Sequence, residues 1–408
     1  MSERRGGVAG GTRALVPALV AGAWVLALGL PASSAPQAVP SATQPALSSV
    51  LARIRRDPVA RNVSATSDQN EWNPRFSPDG RYLSFERRDG QAQAIFVSDL
   101  GPAHGALERV SSLPPRKAAN AEDALLGLTP NDDSFNAQLS FFPDSRRFVF
   151  VGNAGTGVYR LYAGALGGVA PRAITAESKE DGHPAVSPDG RWLVYVSARA
   201  GIGKLVLRDL TTLAERMLTT GDKVDLFPAW SPDSRSIAYT SGDNDNHDVF
   251  VIPDVTAEAV VPRQLTTWRY DDLRPIFSPD GAEIAFYSNY SPTNEEKEWA
   301  IVTVPADGSG PAKGVALAQR TVATNVVKDP EVGPAWLPWG RAIVYARNLK
   351  AEWNPIYAVD VATREEVRLE MRTRMNHDLT CASDGKLAFR AQVASWDDIF
   401  VAELRETP

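Results

Sequence analysis

One tetrapeptide recurs along this chain. It reads SPDG at residues 77–80, 187–190 and 278–281, SPDS at 231–234 and FPDS at 142–145; LPWG at 337–340 and ASDG at 382–385 are diverged copies. The third position is held in turn by Asp79, Asp144, Asp189, Asp233, Asp280, Trp339 and Asp384, at steps of 65, 45, 44, 47, 59 and 45 residues. A base period near 45 residues, with two insertions, is the length of one four-stranded blade in a radial array. Proline presets φ inside the turn, and the Asp side chain after it can accept from the turn's own N–H groups.

The residues around each turn have strand chemistry. In the fourth copy FPAWS leads into the turn, SIAYTS leaves it, GDNDN is a loop, DVFVI is a third strand and PRQLTT a fourth. β-branched and aromatic residues fill these runs, as a pleated surface requires. No amphipathic helix of useful length interrupts them, which excludes a parallel α/β architecture. PRAIT at 171–175, ERMLT at 215–219 and PRQLT at 262–266 end three of the blades, but the last copy runs out after DIFVAEL, its third strand. ARNVSAT at 60–66 has the missing fourth-strand character, so the chain's start is expected to complete its last blade and remove an open sheet edge. The expectation is an all-β, seven-bladed β-propeller of four-stranded antiparallel blades. Its blades lie near residues 70–112, 135–175, 182–220, 225–266, 272–324, 331–370 and 376–404 plus 60–66, within a propeller domain spanning 60–408.

The first residues differ from the rest. Arg4, Arg5 and Arg13 precede an uncharged apolar run at 14–30, and Ser33 and Ala35 stand at the spacing of a signal-peptidase site. Residues 1–35 therefore read as a secretory signal peptide and 36–59 as a linker. The run contains Pro17, Gly22 and Gly29 and is short for a stable span, so no membrane segment is expected after processing. Removing 1–35 takes away three Arg and one Glu and moves the net charge from -6 to -8. Such an acidic product argues against nucleic acid or an anionic membrane surface as partner. The single cysteine, Cys381, excludes an intramolecular disulfide framework; it occupies a repeat position that is apolar elsewhere, where a buried, inert thiol is expected.

The string PAWSPDSRSIAYTS, followed by HDVFVIPD and RQLTT, resembles the repeat of TolB-like β-propellers, which are related to WD-type repeats. The resemblance covers roughly residues 60–404. It implies the propeller fold strongly and function weakly. About thirty residues separate the leader from the first blade, too few for the α/β domain that precedes the propeller in TolB itself. Similar repeats precede the α/β-hydrolase domain of prolyl-oligopeptidase-like enzymes, but no G-x-S-x-G nucleophile elbow occurs here, so that activity is not expected. A manganese-dependent oligogalacturonate lyase also uses such a propeller, with clustered histidines as ligands. Of the four histidines here, His104, His183, His247 and His377, only His377 lies near the comparable end of the chain. No cofactor is therefore expected. A divalent ion such as calcium is the one candidate, at residues 242–248, where Asp243 and Asp245 alternate with asparagines; the string is shorter than an EF-hand loop and lacks its terminal glutamate, so a polar turn is the preferred reading.

Aligning the seven copies at their turns brings out two rows. Eight residues before the marking position stand Glu71, Asn136, Asp181, Asp225, Asp272, Glu331 and Asn376; two residues later come Asn73, Gln138, His183, Phe227, Arg274, Gly333 and Asp378. The first strand of a blade lines the channel, so these rows are expected at the channel mouth opposite the SPDG turns, as an acidic ring and a mixed polar collar. Capping of inter-blade turns is the structural alternative for the acids. The partner-binding set is taken as both rows without Phe227 and Gly333, together with His377. The expectation is an exported, periplasmic or secreted, monomeric binding propeller, without catalysis, that engages an envelope protein or peptide with a basic segment. The alternative is a metal-assisted channel enzyme of polysaccharide-lyase type, or a carbohydrate-binding propeller.

Overall fold

In the computed structural model the described residues are 48–64, 69–89, 92–101, 107–111, 135–154, 157–176, 180–243, 246–290, 298–309, 320–329, 332–349 and 353–405. The leader expected at 1–35 lies outside them, as do Glu331 and His104. The described strands form seven separate four-stranded antiparallel sheets. Six run in chain order; blade three, for example, is built from Asp181–Val186, Trp192–Ser197, Lys204–Asp209 and Glu215–Met217. In the seventh the order is His377–Cys381, Lys386–Val393, Trp396–Glu403 and then the N-terminal Arg61–Asn62. Arg61 pairs with Val401 and Asn62 with Phe400; the Val63 N–H continues the ladder to the Ile399 carbonyl.

The recurring tetrapeptide makes one turn. The Ser77 hydroxyl donates to Asp79 Oδ1 (2.6 Å), which also accepts from the Arg81 N–H, while Ser77 Oγ accepts from the Tyr82 N–H. Ser187, Ser231 and Ser278 repeat the pattern. The fourth position has φ near +70°, which suits glycine. Ser145 and Ser234 accept that strain and use their hydroxyls across the blade boundary, accepting from the Asp79 and Asp189 N–H groups of the preceding blades. This is a physical reason for the SPDG and SPDS variants.

Blades pack face to face through apolar layers. Val194, Leu205 and Leu207 of blade three meet Ile237, Tyr239 and Ile252 of blade four, all nearly or fully buried. Each such side chain is worth about 1.5–3 kcal/mol relative to exposure. A second device repeats at five junctions. A hydroxyl just past the fourth strand accepts from the third strand's N–H: Ser111 from Ile95, Thr175 from Leu161, Thr219 from Leu205, Thr266 from Val249 and Ser64 from Ile399. Ser64 thus plays in the last blade, from the other end of the chain, the part of the threonine in the LT and IT strings.

Candidate functional site: the central cavity

First strands of propeller blades face the axis, and among the described residues six of the seven carry a bulge, the two-residue strand Ala335–Trp336 of blade six showing none. The register shifts between Trp72 and Arg75, Ala137 and Ser140, Gly182 and Ala185, Leu226 and Ala229, Leu273 and Ile276, and His377 and Thr380. In every one of these gaps a non-glycine residue has φ between +48° and +58°: Asn73, Gln138, His183, Phe227, Arg274 and Asp378. The collar row is therefore the row of bulge residues. A bulge re-aims a side chain that the pleat would send elsewhere.

Below the bulges lies a cavity of about 440 Å³ to which all seven blades contribute. Gln138, His183, Phe227 and Arg274 stand at the level of the bulges, while Ser77, Pro78, Ala382 and Ser383 mark the end at the SPDG turns. The His183 imidazole meets the Phe227 ring edge-on at 4.7 Å, and the Arg274 guanidinium stacks over the same ring at 3.7 Å. Burial first, and then the charges of Arg274 and Arg75, push His183 down to about 3, so it is a neutral hydrogen-bonding group. Cys381 lines the same cavity half-buried, with burial pushing its thiol up to about 12; it is less enclosed than expected, and its thiol form fits an inert group.

The structure does not bring the thirteen expected residues together. Gln138, His183 and Arg274 line the cavity, with Phe227 and Gly333 of the same row. The described members of the first row do not. Glu71, Asn136, Asp181, Asp225, Asp272 and Asn376 are 0–3% exposed, and they sit where one blade meets the next. This corrects the expectation of an acidic ring focusing negative potential at the mouth. Asp225 pairs with Lys204 at 3.1 Å, both side chains being nearly inaccessible. Burial pushes Glu71 up to about 7 and Asp272 up to about 8. The Ser288 and Thr266 hydroxyls flank Asp272 without completing a hydrogen bond to either carboxylate oxygen. Asn136 and Asn376 each donate to a carbonyl of the preceding blade, that of Gln93 and that of Asn354.

The remaining collar residues stitch blades. Asp378 takes an ion pair from Arg390 Nε (3.0 Å) and accepts from the Asn73 N–H. Asn73 Nδ2 donates to Glu86, Glu86 also accepts from the Gln138 N–H, and Gln138 Oε1 accepts from the His183 N–H at 2.8 Å. This relay runs from blade seven through blades one and two to blade three. His377 stands outside the cavity's lining, beside the Asn354 amide at 3.3 Å; burial pushes it down to about 4. Of the string at 242–248, Asp243 and Asn246 pair across a hairpin, and Asp248 accepts from Gln264 Nε2 and Thr266 Oγ1. Among the described residues no three His, Cys, Asp or Glu side chains are grouped to hold a metal ion; Asp245 of the candidate calcium string lies outside them. Nor does any described helix have the length and apolarity to cross a membrane.

Sequence reasoning missed Arg75, Glu86 and the place of Cys381. Arg75 belongs to a third row, two residues after the collar. Strand alternation counted through the bulge assigns that row to the wrong face, because the bulge inserts one residue. Asn-Pro, His-Pro, Phe-Pro, Arg-Pro and Gly-Pro in five of the seven collar positions were the available signal for it.

Residues 141–295 match the model of the TolB β-propeller domain. No curated protein matches the chain. Among solved structures, an oligogalacturonate lyase in complex with manganese is similar at 14% identity and a TM-score of 0.60, over 86% of this chain and 97% of that one. A puromycin-hydrolyzing peptidase of Mycobacterium tuberculosis is similar at 15% and 0.54, over 79% of this chain and 49% of that one. TolB from Acinetobacter baumannii aligns at 15% and 0.49, over 74% and 67%. The likeness to the lyase and the peptidase, at such identity, shows the fold, and fold does not determine chemistry. The repeats and the seven four-stranded blades make this chain a seven-bladed β-propeller, and within it residues 141–295 are similar to the TolB β-propeller domain.

Proposed function

We propose that the protein is an exported, non-enzymatic binding propeller of the cell envelope that receives a segment of a protein or peptide partner in its central cavity. The observation that carries this reading is the collar itself: six consecutive-blade bulges spend unfavourable φ values to aim side chains, and Gln138, His183, Phe227 and Arg274 are aimed into one cavity that every blade helps to line. Strain held at a concave site is a mark of function. Phe227 and Arg274, an aromatic and an arginine in contact, are the residue types that anchor interfaces. Export is supported by the basic start and the apolar run at 14–30. The metal-assisted lyase reading has no donor group to stand on among the described residues.

Photo-crosslinking tests the reading. Benzoylphenylalanine in place of Phe227, in cells that export the protein, should yield an adduct of defined mass after irradiation. The same group at Leu213, 59% exposed on a loop of blade three, is the control. Adducts of equal pattern at both positions, or none at Phe227, would remove the cavity as the site of engagement.

A further inference from the structure

We infer that blades six and seven carry a second binding surface, built on Trp353, Arg372, Arg374, Val393 and Trp396, and that it docks an acidic protein segment with an apolar anchor. The inference goes beyond the cavity reading and does not depend on it, since none of these five residues lines the cavity. First and second strands of a blade meet at the SPDG turn. The links between second and third strands, and those between blades, therefore lie at the opposite end. In blade six that link runs from Ala346 to Ile356, and in blade seven it is the hairpin tip between Val393 and Trp396. Residues 370–376 join the two blades at the same end.

The three segments are tied together. The Met375 N–H donates to the Trp353 carbonyl (2.8 Å), Asn376 Nδ2 to the Asn354 carbonyl (2.8 Å), and the Gln392 N–H to the Arg374 carbonyl (2.9 Å). The Arg374 guanidinium lies over the Trp353 ring at 5.9 Å. Trp353, Val393 and Trp396 are nonetheless 50%, 41% and 38% exposed. A single exposed apolar residue needs no explanation, but a tethered group of them, two being tryptophans, marks an interaction surface. The backbone is strained at the same places, with φ at +61° for Trp353 and +55° for Ala394. A bulky aromatic residue at such a φ is an outlier, and a two-residue hairpin tip ordinarily uses Asn-Gly there.

Charge decides the partner. Arg372 and Arg374 are exposed, and among the described residues neither has a carboxylate within ion-pair distance. Asp397, at the foot of the hairpin tip, faces Arg390 Nη1 at 3.4 Å. In a chain of net charge -6, two such cations beside two tryptophans are a local exception, complementary to acidic side chains. Tryptophan and arginine are also the residue types that dominate interface energies. An anionic bilayer would meet the same side chains, but it repels the chain's net charge. A sugar ring stacks flat on an open indole face, and Arg374 already lies over a face of Trp353.

Selection on the whole protein from a displayed library of random peptides tests this. The enriched peptides are synthesised with a fluorescent label and titrated against the wild type and three variants: Trp353→Asn/Trp396→Ser, Arg372→Gln/Arg374→Gln and, in the cavity, Phe227→Ala. Asn tolerates positive φ, so the first variant removes both rings without adding strain at residue 353. The second changes only exposed charge and decides the matter if a melt shows the first to be misfolded. The enriched peptides should carry net negative charge and an aromatic or aliphatic residue. They should bind the wild type roughly tenfold more tightly than either surface variant, a hot-spot effect. Binding should weaken with salt and be unchanged by Phe227→Ala. Failure to enrich any peptide, enrichment of neutral or basic ones, or equal binding by the wild type and both surface variants overturns the inference. Peptides lost only with Phe227→Ala belong to the cavity, which overturns this surface while supporting the proposed function. Binding of phosphatidylglycerol vesicles or oligogalacturonate that the surface variants lose, with no peptide bound, overturns the assignment of a protein partner.

Discussion

Replacing Lys204 by methionine should be among the most damaging single changes in this ring. Lys204 lies in the third strand of blade three and is 2% exposed; Asp225, in the first strand of blade four, is 2% exposed. The ammonium donates to Asp225 Oδ2 (3.1 Å), to the Thr220 carbonyl (3.3 Å) and to the Lys223 carbonyl, so all three of its protons are used. Methionine keeps the stem and its packing but strands a buried carboxylate and two carbonyls. Removing one member of a buried ion pair costs about 3–5 kcal/mol, because the surviving charge is left desolvated. For a domain of this size that is a fall in Tm of roughly 4–7 °C. Asp225→Asn alone should cost less, since the ammonium keeps its two carbonyls. The double variant should be more stable than the sum of the single losses implies, with a coupling of at least about 2 kcal/mol. Urea unfolding followed by tryptophan fluorescence measures all four proteins, the chain having ten tryptophans. A Lys204→Met loss below about 1 kcal/mol, or additive single losses, would refute the reasoning, since only a solvated pair behaves so.

Two further outcomes follow from the junctions between blades. Asp272, at about 8, and Glu71, at about 7, are raised above their ordinary values chiefly by burial, so the folded state holds protons that the unfolded chain releases near pH 4. Their contribution is complete below about pH 4 and is lost as pH rises towards 8, so stability should decline across that window, and Asp272→Asn should flatten the decline and gain on the order of 2 kcal/mol at pH 9. Parallel Tm-against-pH curves for the two proteins would show that Asp272 does not titrate in the fold. Removing residues 61–64 takes away the strand paired with Val401 and Phe400, the Ser64 hydroxyl on the Ile399 N–H and the Asn62 amide on Asp398. The exposed edge should lower Tm by several degrees and promote aggregation, read by light scattering during a melt; an unchanged melt would show that the ring holds without that strand.

Much of the architecture was legible because it is local and repeated. A turn that needs Ser, Pro, Asp and a residue tolerant of positive φ writes itself into four adjacent positions, and seven copies report their own period. Ser64 was recognisable as the end of a fourth strand for the same reason: it carries the hydroxyl that Thr175, Thr219 and Thr266 carry. The alignment also found Gln138, His183 and Arg274, because each occupies the same step before its turn. What the alignment left open was where those steps point. The acids eight residues before the turn look like a channel-facing ring in any one strand, yet they are buried between blades. Their partners, Lys204 for Asp225 and Arg87 for Glu71, lie on other strands. Arg75 became visible as a wall residue only once the bulge at Asn73 had shifted the register beneath it. The chain's own order thus determines the blade, its turn and the number of copies, all short-range properties. The membership of the cavity wall was decided by tertiary structure alone, because it depends on which side chains from seven separate strands share one cavity and which are taken out of it by a neighbouring blade.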